Sequence, residues 1–253
     1  SSLENLPGVL RVYEDYEPPL ALSQTVPLIG ARQLHQLGIR GQGKAICIID
    51  SGIDYTHPDL DGGKVVNGYD FIGNDADPFE AYGQIGSHGN WLAIVAAGDG
   101  SINTGVAPDA SIVAVRACSG GSCSVSNLLS ATQFCVDNIE NNNIVAIQTA
   151  VGGAVSDVYC DADPRFPPLM AQLVNGAVAR DVVVTAATGN EGSITHIAWP
   201  ACLSNATSVS GSTKPTPTEQ IGLGANRNSI TDLVAPAIVR ITNPDQSPSI
   251  PTG

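Results

Sequence analysis

The stretch GKAICIIDSGIDYTHPDL, Gly43 to Leu60, decides how this chain is read. Ala45 to Ile49 is a short, isoleucine-rich apolar run with Gly41 and Gly43 before it and Ser51-Gly52 behind it. A run of this length between turn residues predicts a fully buried strand rather than a helix. Asp50 stands where that strand opens into a loop. In open α/β sheets, ligands and chemistry collect at the carboxyl ends of the strands, and a carboxylate there must be paired or hydrogen-bonded. Taken alone, Asp50 before Ser-Gly is a turn former. Its neighbours in space decide otherwise.

Outward from Gly43 the pattern alternates. His88 to Ala97 predicts a helix and Ser111 to Ala117 a strand rich in β-branched residues. Ser126 to Asn138 predicts a helix, Ile144 to Thr149 a strand, Leu169 to Arg180 a helix and Val182 to Ala187 another buried strand. Ala206 to Gly211 and Thr231 to Ala235 continue the series. Apolar strands alternating with helices imply a mainly parallel sheet covered on both faces. Ahead of this unit, Ala31 to Leu37 predicts a short helix. Residues 1–24 read differently, as an isolated strand, Val9 to Tyr13, followed by an acidic, proline-broken linker. The expected organisation is therefore residues 1–24 and a main domain over 25–253, with the boundary between Ala21 and Pro27. Thr242 to Gly253 is polar and proline-rich.

Composition narrows the function. Only 14% of the 253 residues are charged, which fits a folded, loop-rich chain rather than a disordered one. A net charge of −13 with 11 basic residues excludes a nucleic-acid binder, which needs a basic surface. No apolar run reaches membrane-spanning length, and no signal peptide opens the chain. The six cysteines include no CxxC pair, which argues against zinc. Cys118 and Cys123 bracket Ser-Gly-Gly-Ser, a loop that a disulfide could close. Cys47, inside the buried strand, reads as a small apolar filler. Asn205-Ala206-Thr207 is a glycosylation sequon.

Two further residues stand at places suited to chemistry. His88, in Gly86-Ser87-His88-Gly89-Asn90, opens an apolar helix, where an imidazole is presented as a general base. Asn190, in Thr188-Gly189-Asn190-Glu191-Gly192, follows the Val182 strand. It offers a carboxamide N–H to a developing oxyanion. Each alone is a helix start or a turn; with Asp50 they make a catalytic set.

On these motifs the chain resembles the subtilisin-like serine proteases. The resemblance rests on the Asp50 stretch, GSHGNWLAIVAAG around His88, GVAPDASIVAVRA after it, AATGNEG around Asn190, WPACLSNATSVSGST and DLVAPAIVRIT, in the family's order over about residues 25 to 242. It implies a three-layer α/β fold and peptide-bond hydrolysis by an Asp/His/Ser triad. In it Asp50 orients the base His88, Asn190 binds the oxyanion, and Ala150, Val151, Gly152 and Gly153 line the substrate. It also implies that residues 1–24 end an inhibitory pro-segment, processed near Leu20 to Gln24, as in a secreted zymogen.

The chain departs from the family in three places. The family's nucleophile lies in a Gly-Thr-Ser motif, which does not occur in these 253 residues; Ser229, Ser247 and Ser249 lie in polar loops. Trp91 and Ile94 replace a histidine and a glycine after His88, and Ala150 replaces a serine. Trp91, Leu92 and Ile94 are expected to fill space left by a missing helix. Two functions follow: a secreted endopeptidase whose nucleophile is absent here, so that the chain is inactive as given, or a degenerate extracellular binding or self-assembling subunit. The partners expected are a polypeptide substrate or the chain's own pro-segment. Structural calcium is compatible with the acidic loops at Asp75, Asp77 and Glu80 and at Asp161 and Asp163, but no metal ligands are assigned.

Overall fold

A computed structural model describes residues 20–80, 88–100, 103–212, 224–237, 239–242 and 248–249. In chain order the elements are β1 (Leu20–Ala21), α1 (Leu22–Leu28), α2 (Ala31–Gln36), β2 (Ala45–Asp50), β3 (Val65–Asp70), α3 (His88–Ala97) and β4 (Ser111–Arg116). Then come β5 (Cys118–Ser119), β6 (Ser122–Cys123), α4 (Val125–Asp137), α5 (Ile139–Asn142), β7 (Ile144–Thr149), β8 (Val155–Ser156) and α6 (Pro168–Val178). The last are β9 (Val183–Ala187), β10 (Ile197–Ala198), β11 (Thr207–Ser212), β12 (Leu233–Pro236), β13 (Val239–Thr242) and β14 (Pro248–Ser249).

Seven strands form one sheet in the order β12-β11-β9-β7-β2-β4-β3, and every neighbouring pair is parallel. Its middle strands obey the period of two on both faces. Ala45, Cys47, Ile49, Val113 and Val115 join a core with α4 and α6. Ile48, Ile112 and Ala114 face the other way, into a core with Leu22, Val26, Ala93, Ile94 and Ala97 from α1 and α3. This is the expected three-layer α/β architecture. Strand β2 pairs with β4 on one side and β7 on the other. The chain builds the sheet outward from β2 in both directions, so the crevice of such a sheet falls at the carboxyl end of β2.

Several expectations change. The boundary drawn between Ala21 and Pro27 falls inside α1, whose Leu22, Thr25 and Val26 are buried. Spacings of three and four put them on one helix face, and Pro27, near the helix end, forfeits one backbone bond without ending it. Ahead of α1, β1 pairs with β13 through Leu20↔Val239. The strand expected at Val9 to Tyr13 lies outside the described residues.

Cys47 is not a filler: it bonds to Cys135 and ties the central strand to α4. Cys118–Cys123 closes the β5–β6 hairpin as expected, and Cys160–Cys202 pairs the remaining two. Ile94 is fully buried within the α3-side core itself, so packing on the sheet, not a vacancy left by another helix, accounts for its size. Asn205 is exposed, its side-chain amide donating to Asn175 Oδ1 at 2.8 Å.

A cross-link stabilises chiefly by restricting the unfolded chain, more so for longer loops. Cys47–Cys135 spans 88 residues and Cys118–Cys123 spans 5. Urea unfolding of the Cys47→Ala/Cys135→Ala protein is expected to show a loss of about 2–5 kcal/mol, larger than that for Cys118→Ala/Cys123→Ala.

Candidate active site

The three loops that matter leave the same edge of the sheet. Asp50 ends β2, Thr149 ends β7 and leads into Ala150 to Gly153, and Ala187 ends β9 and leads into Asn190. These strands are consecutive neighbours, so at a spacing of roughly 4.8 Å the Asp50 and Asn190 loops emerge about 10 Å apart.

Asp50 is buried, 3% exposed, and its charge is met on several sides. His88 Nδ1 lies 3.0 Å from Oδ1 and 2.9 Å from Oδ2, and the Ser51 backbone N–H donates to Oδ1 at 2.7 Å. The hydrogen bond from Asp50 holds the His88 pKa above its ordinary value, against the opposing effect of burial. With Nδ1 committed to Asp50, Nε2 is the atom left to take or give a proton. Among the described residues no serine hydroxyl bonds this ring. The ring meets the Trp91 indole edge-on, with centroids 6.1 Å apart.

The register of His88 depends on small residues and on a fully buried amide. A Cβ on Gly89 would lie 2.3 Å from the Gly52 carbonyl oxygen, so only glycine lets the helix start this close to the Asp50 loop. The Gly89 N–H donates to Ser51 Oγ at 3.0 Å. Asn90, 0% exposed, accepts from the Asp54 N–H at 2.5 Å and donates to the Glu80 carbonyl at 3.1 Å. Arg116, at the end of β4, donates from Nε to the Ser51 carbonyl at 2.9 Å and from Nη1 to Asp70 Oδ2 at 2.8 Å. It thereby pins the loop on the far side of Asp50. Sequence reasoning missed Arg116 and Ser51; both sit inside ordinary motif text, and only the register Asp50↔Arg116 puts them together.

Asn190 is exposed, on a loop held from beneath. Gly189 takes a φ of 100°, a conformation that favours glycine. The Ala198 N–H donates to the Thr188 carbonyl at 2.8 Å, and a Cβ on Gly189 would lie 3.2 Å from the Ala198 methyl. Segment 150–154 runs beside the same support: the Gly153 N–H donates to the Trp199 carbonyl at 2.9 Å, and the Trp199 N–H donates to Ala154 at 2.9 Å. A Cβ on Gly152 would come within 3.1 Å of the Ala198 methyl. Ala150 and Val151 are half-buried, whereas Gly152 and Gly153 are exposed backbone.

The acidic loops spend their oxygens on protein donors. Asp75 Oδ1 accepts from the Asp77 N–H, and Asp77 Oδ1 accepts from Tyr55 and from the Phe79 N–H. Glu80 lies 3.9 Å from Arg116 Nε, Asp161 holds Ser204, and Asp163 pairs with Arg165. Among the described residues no group of three His, Cys, Asp or Glu side chains could hold a metal ion.

Residues 41–249 match the sequence model of the subtilase family (Peptidase_S8). A thermophilic serine proteinase of Bacillus sp. (strain AK1) is 34% identical over 200 residues, covering 78% of this chain and 44% of that protein. Subtilisin E of Bacillus subtilis (strain 168) is 33% identical over 197 residues, covering 76% of this chain and 46% of its own. Thus the chain spans less than half the length of either relative. A crystal structure of a cold adapted subtilisin-like serine proteinase superposes with a TM-score of 0.66 over 96% of this chain and 74% of that one. At 23% identity this is a likeness of fold.

A group whose folded pKa is raised stabilises the fold fully below its unfolded pKa, and that contribution is lost as pH rises through the folded value. Asp50→Asn is therefore expected to cost more stability at about pH 5 than at about pH 9. An NMR titration of the same variant should show the His88 pKa lowered. An unchanged His88 pKa would mean that Asp50 does not set its charge.

Proposed function

Because this chain belongs to the subtilase family, we propose that it carries the base and oxyanion parts of a secreted serine endopeptidase. The observation that carries this reading is the buried Asp50 bonded to His88 Nδ1 at the carboxyl edge of the sheet, two strands from the Asn190 loop. The nucleophile is a serine outside the described residues. His88 Nε2 takes the proton of that hydroxyl as its oxygen attacks the peptide carbonyl, and Asp50 stabilises the imidazolium that results. The Asn190 carboxamide donates to the developing oxyanion. His88 then protonates the leaving amine, and a water repeats the sequence on the acyl-enzyme. An extended peptide lies along Ala150 to Gly153, whose glycines leave its backbone room. Without the nucleophile the chain is inactive by itself.

Secretion is supported by three disulfides that leave no free cysteine, a pattern of oxidising compartments. No helix among the described residues is long and apolar enough to cross a membrane. Residues 1–24 fit the end of a pro-segment, the mark of a zymogen.

One observation favours the second reading, a non-catalytic extracellular subunit. Helix α3 is apolar along its length, yet Trp91, Leu92, Val95 and Ala96 are only half-buried. A helix apolar all round needs cover on every side, and in this reading a binding partner or a second copy supplies it.

Fluorophosphonate labelling of the protein isolated from its natural source separates the two. The endopeptidase reading expects labelling of one serine, its loss in His88→Ala, and none for residues 1–253 expressed alone. An unlabelled natural protein that elutes as an assembly in size-exclusion chromatography would establish the subunit instead.

A further inference from the structure

Asn226 has no part in the triad, yet it is 0% exposed and makes an unusual number of bonds to one loop. Its side-chain Oδ1 accepts from the Glu191 N–H at 3.1 Å and the Ser193 N–H at 2.9 Å. Its Nδ2 donates to the Glu191 carboxylate. Its backbone N–H donates to the Gly189 carbonyl at 2.9 Å, and its own carbonyl accepts from Thr188 Oγ1 at 2.7 Å and Ser210 Oγ at 2.8 Å. The partners at 188 and 189 precede Asn190, and those at 191 and 193 follow it. The loop is gripped on both sides of Asn190, and Asn190 itself is left exposed.

We propose that Asn226 is a positioning residue for the oxyanion donor: a buried carboxamide that sets where the Asn190 amide points. The inference rests on the reading of Asn190 as that donor. The chemistry requires an amide at this place. One oxygen must accept two backbone N–H groups while an adjacent N–H group meets the Glu191 carboxylate; alanine supplies neither. Aspartate keeps the acceptor but sets a second carboxylate against Glu191. The space is closed too, since a Cβ on Gly189 would lie 2.6 Å from Asn226 Nδ2. Oxyanion donors act through preorganisation, and a misplacement of about 1 Å in such a group can cost about 100-fold in rate. The effect belongs in kcat, because the oxyanion forms only in the transition state.

The test is a double-mutant cycle in the protein isolated as the active, full-length chain. Asn226→Ala is expected to lower kcat about 10- to 100-fold with KM nearly unchanged. Asn190→Ala is expected to lower it about 100- to 1000-fold. In the Asn190→Ala background Asn226→Ala should then have little further effect. Equal losses in both backgrounds would overturn the proposal, because Asn226 would then not act through Asn190. An Asn190→Ala variant with unchanged kcat would instead sink the oxyanion reading itself.

Hydrogen exchange supplies a readout independent of activity. In Asn226→Ala the amides of Glu191 and Ser193 should exchange faster while those of Ile46 to Ile49 keep their protection. Protection unchanged at Glu191 and Ser193 overturns the proposal whatever the kinetics. Should Asn226→Ala fail to fold, Asn226→Asp, with nearly the same volume, takes its place in both measurements, with the same outcomes deciding.

Discussion

A carboxylate buried at the end of the most buried strand is the constraint on which this molecule turns. Removing Asp50 from water is costly unless its charge is answered locally, and the surrounding sequence can be read as that answer. The Ser51 N–H and the His88 ring meet its oxygens directly. Arg116 and Asn90 hold the backbone around it, and Gly89 lets the helix carrying His88 approach. The arrangement that compensates the buried charge is also the one that fixes the imidazole tautomer. Stability and chemistry are therefore settled by the same contacts.

The two loops across the edge solve the problem differently. Around Asp50 the polar groups are charged and close in sequence to the strands that bear them. Around Asn190 they are neutral, and the principal support arrives from residue 226, well along the chain. The Asp50 side is built to hold a charge that is always there. The Asn190 side is built to await one that appears only during a reaction.

What could be read from sequence followed from local pattern. The strands β2, β4, β7 and β9 are apolar runs with sharp ends, and α3 was bounded correctly because His88 and Gly98 punctuate it. β3 was not legible: Asn67-Gly68 reads as a hairpin turn. Gly68 is there for another reason, since a Cβ on it would lie 2.4 Å from the Ala114 carbonyl of the neighbouring strand. Asp50, His88 and Asn190 could be singled out because each follows a strand end or opens a helix. Asn226, in Ala225-Asn226-Arg227, carries no such signal, and its partners lie more than thirty residues away. Cys47 was misjudged because apolar burial and a disulfide leave the same trace in a strand.

The strand order has a consequence for how the protein comes into being. β2 is an early strand, but its partners are β4, beginning at Ser111, and β7, beginning at Ile144. The first described strand waits longer still, for Val239. A chain emerging from the ribosome amino end first therefore exposes its most apolar strand long before either flank exists. Such non-local pairing is slow and leaves edges open to wrong partners. For this protein the interval between synthesis and the native state is the period of greatest exposure, and a companion that covers β2 during it would affect the yield of folded chain more than its final stability.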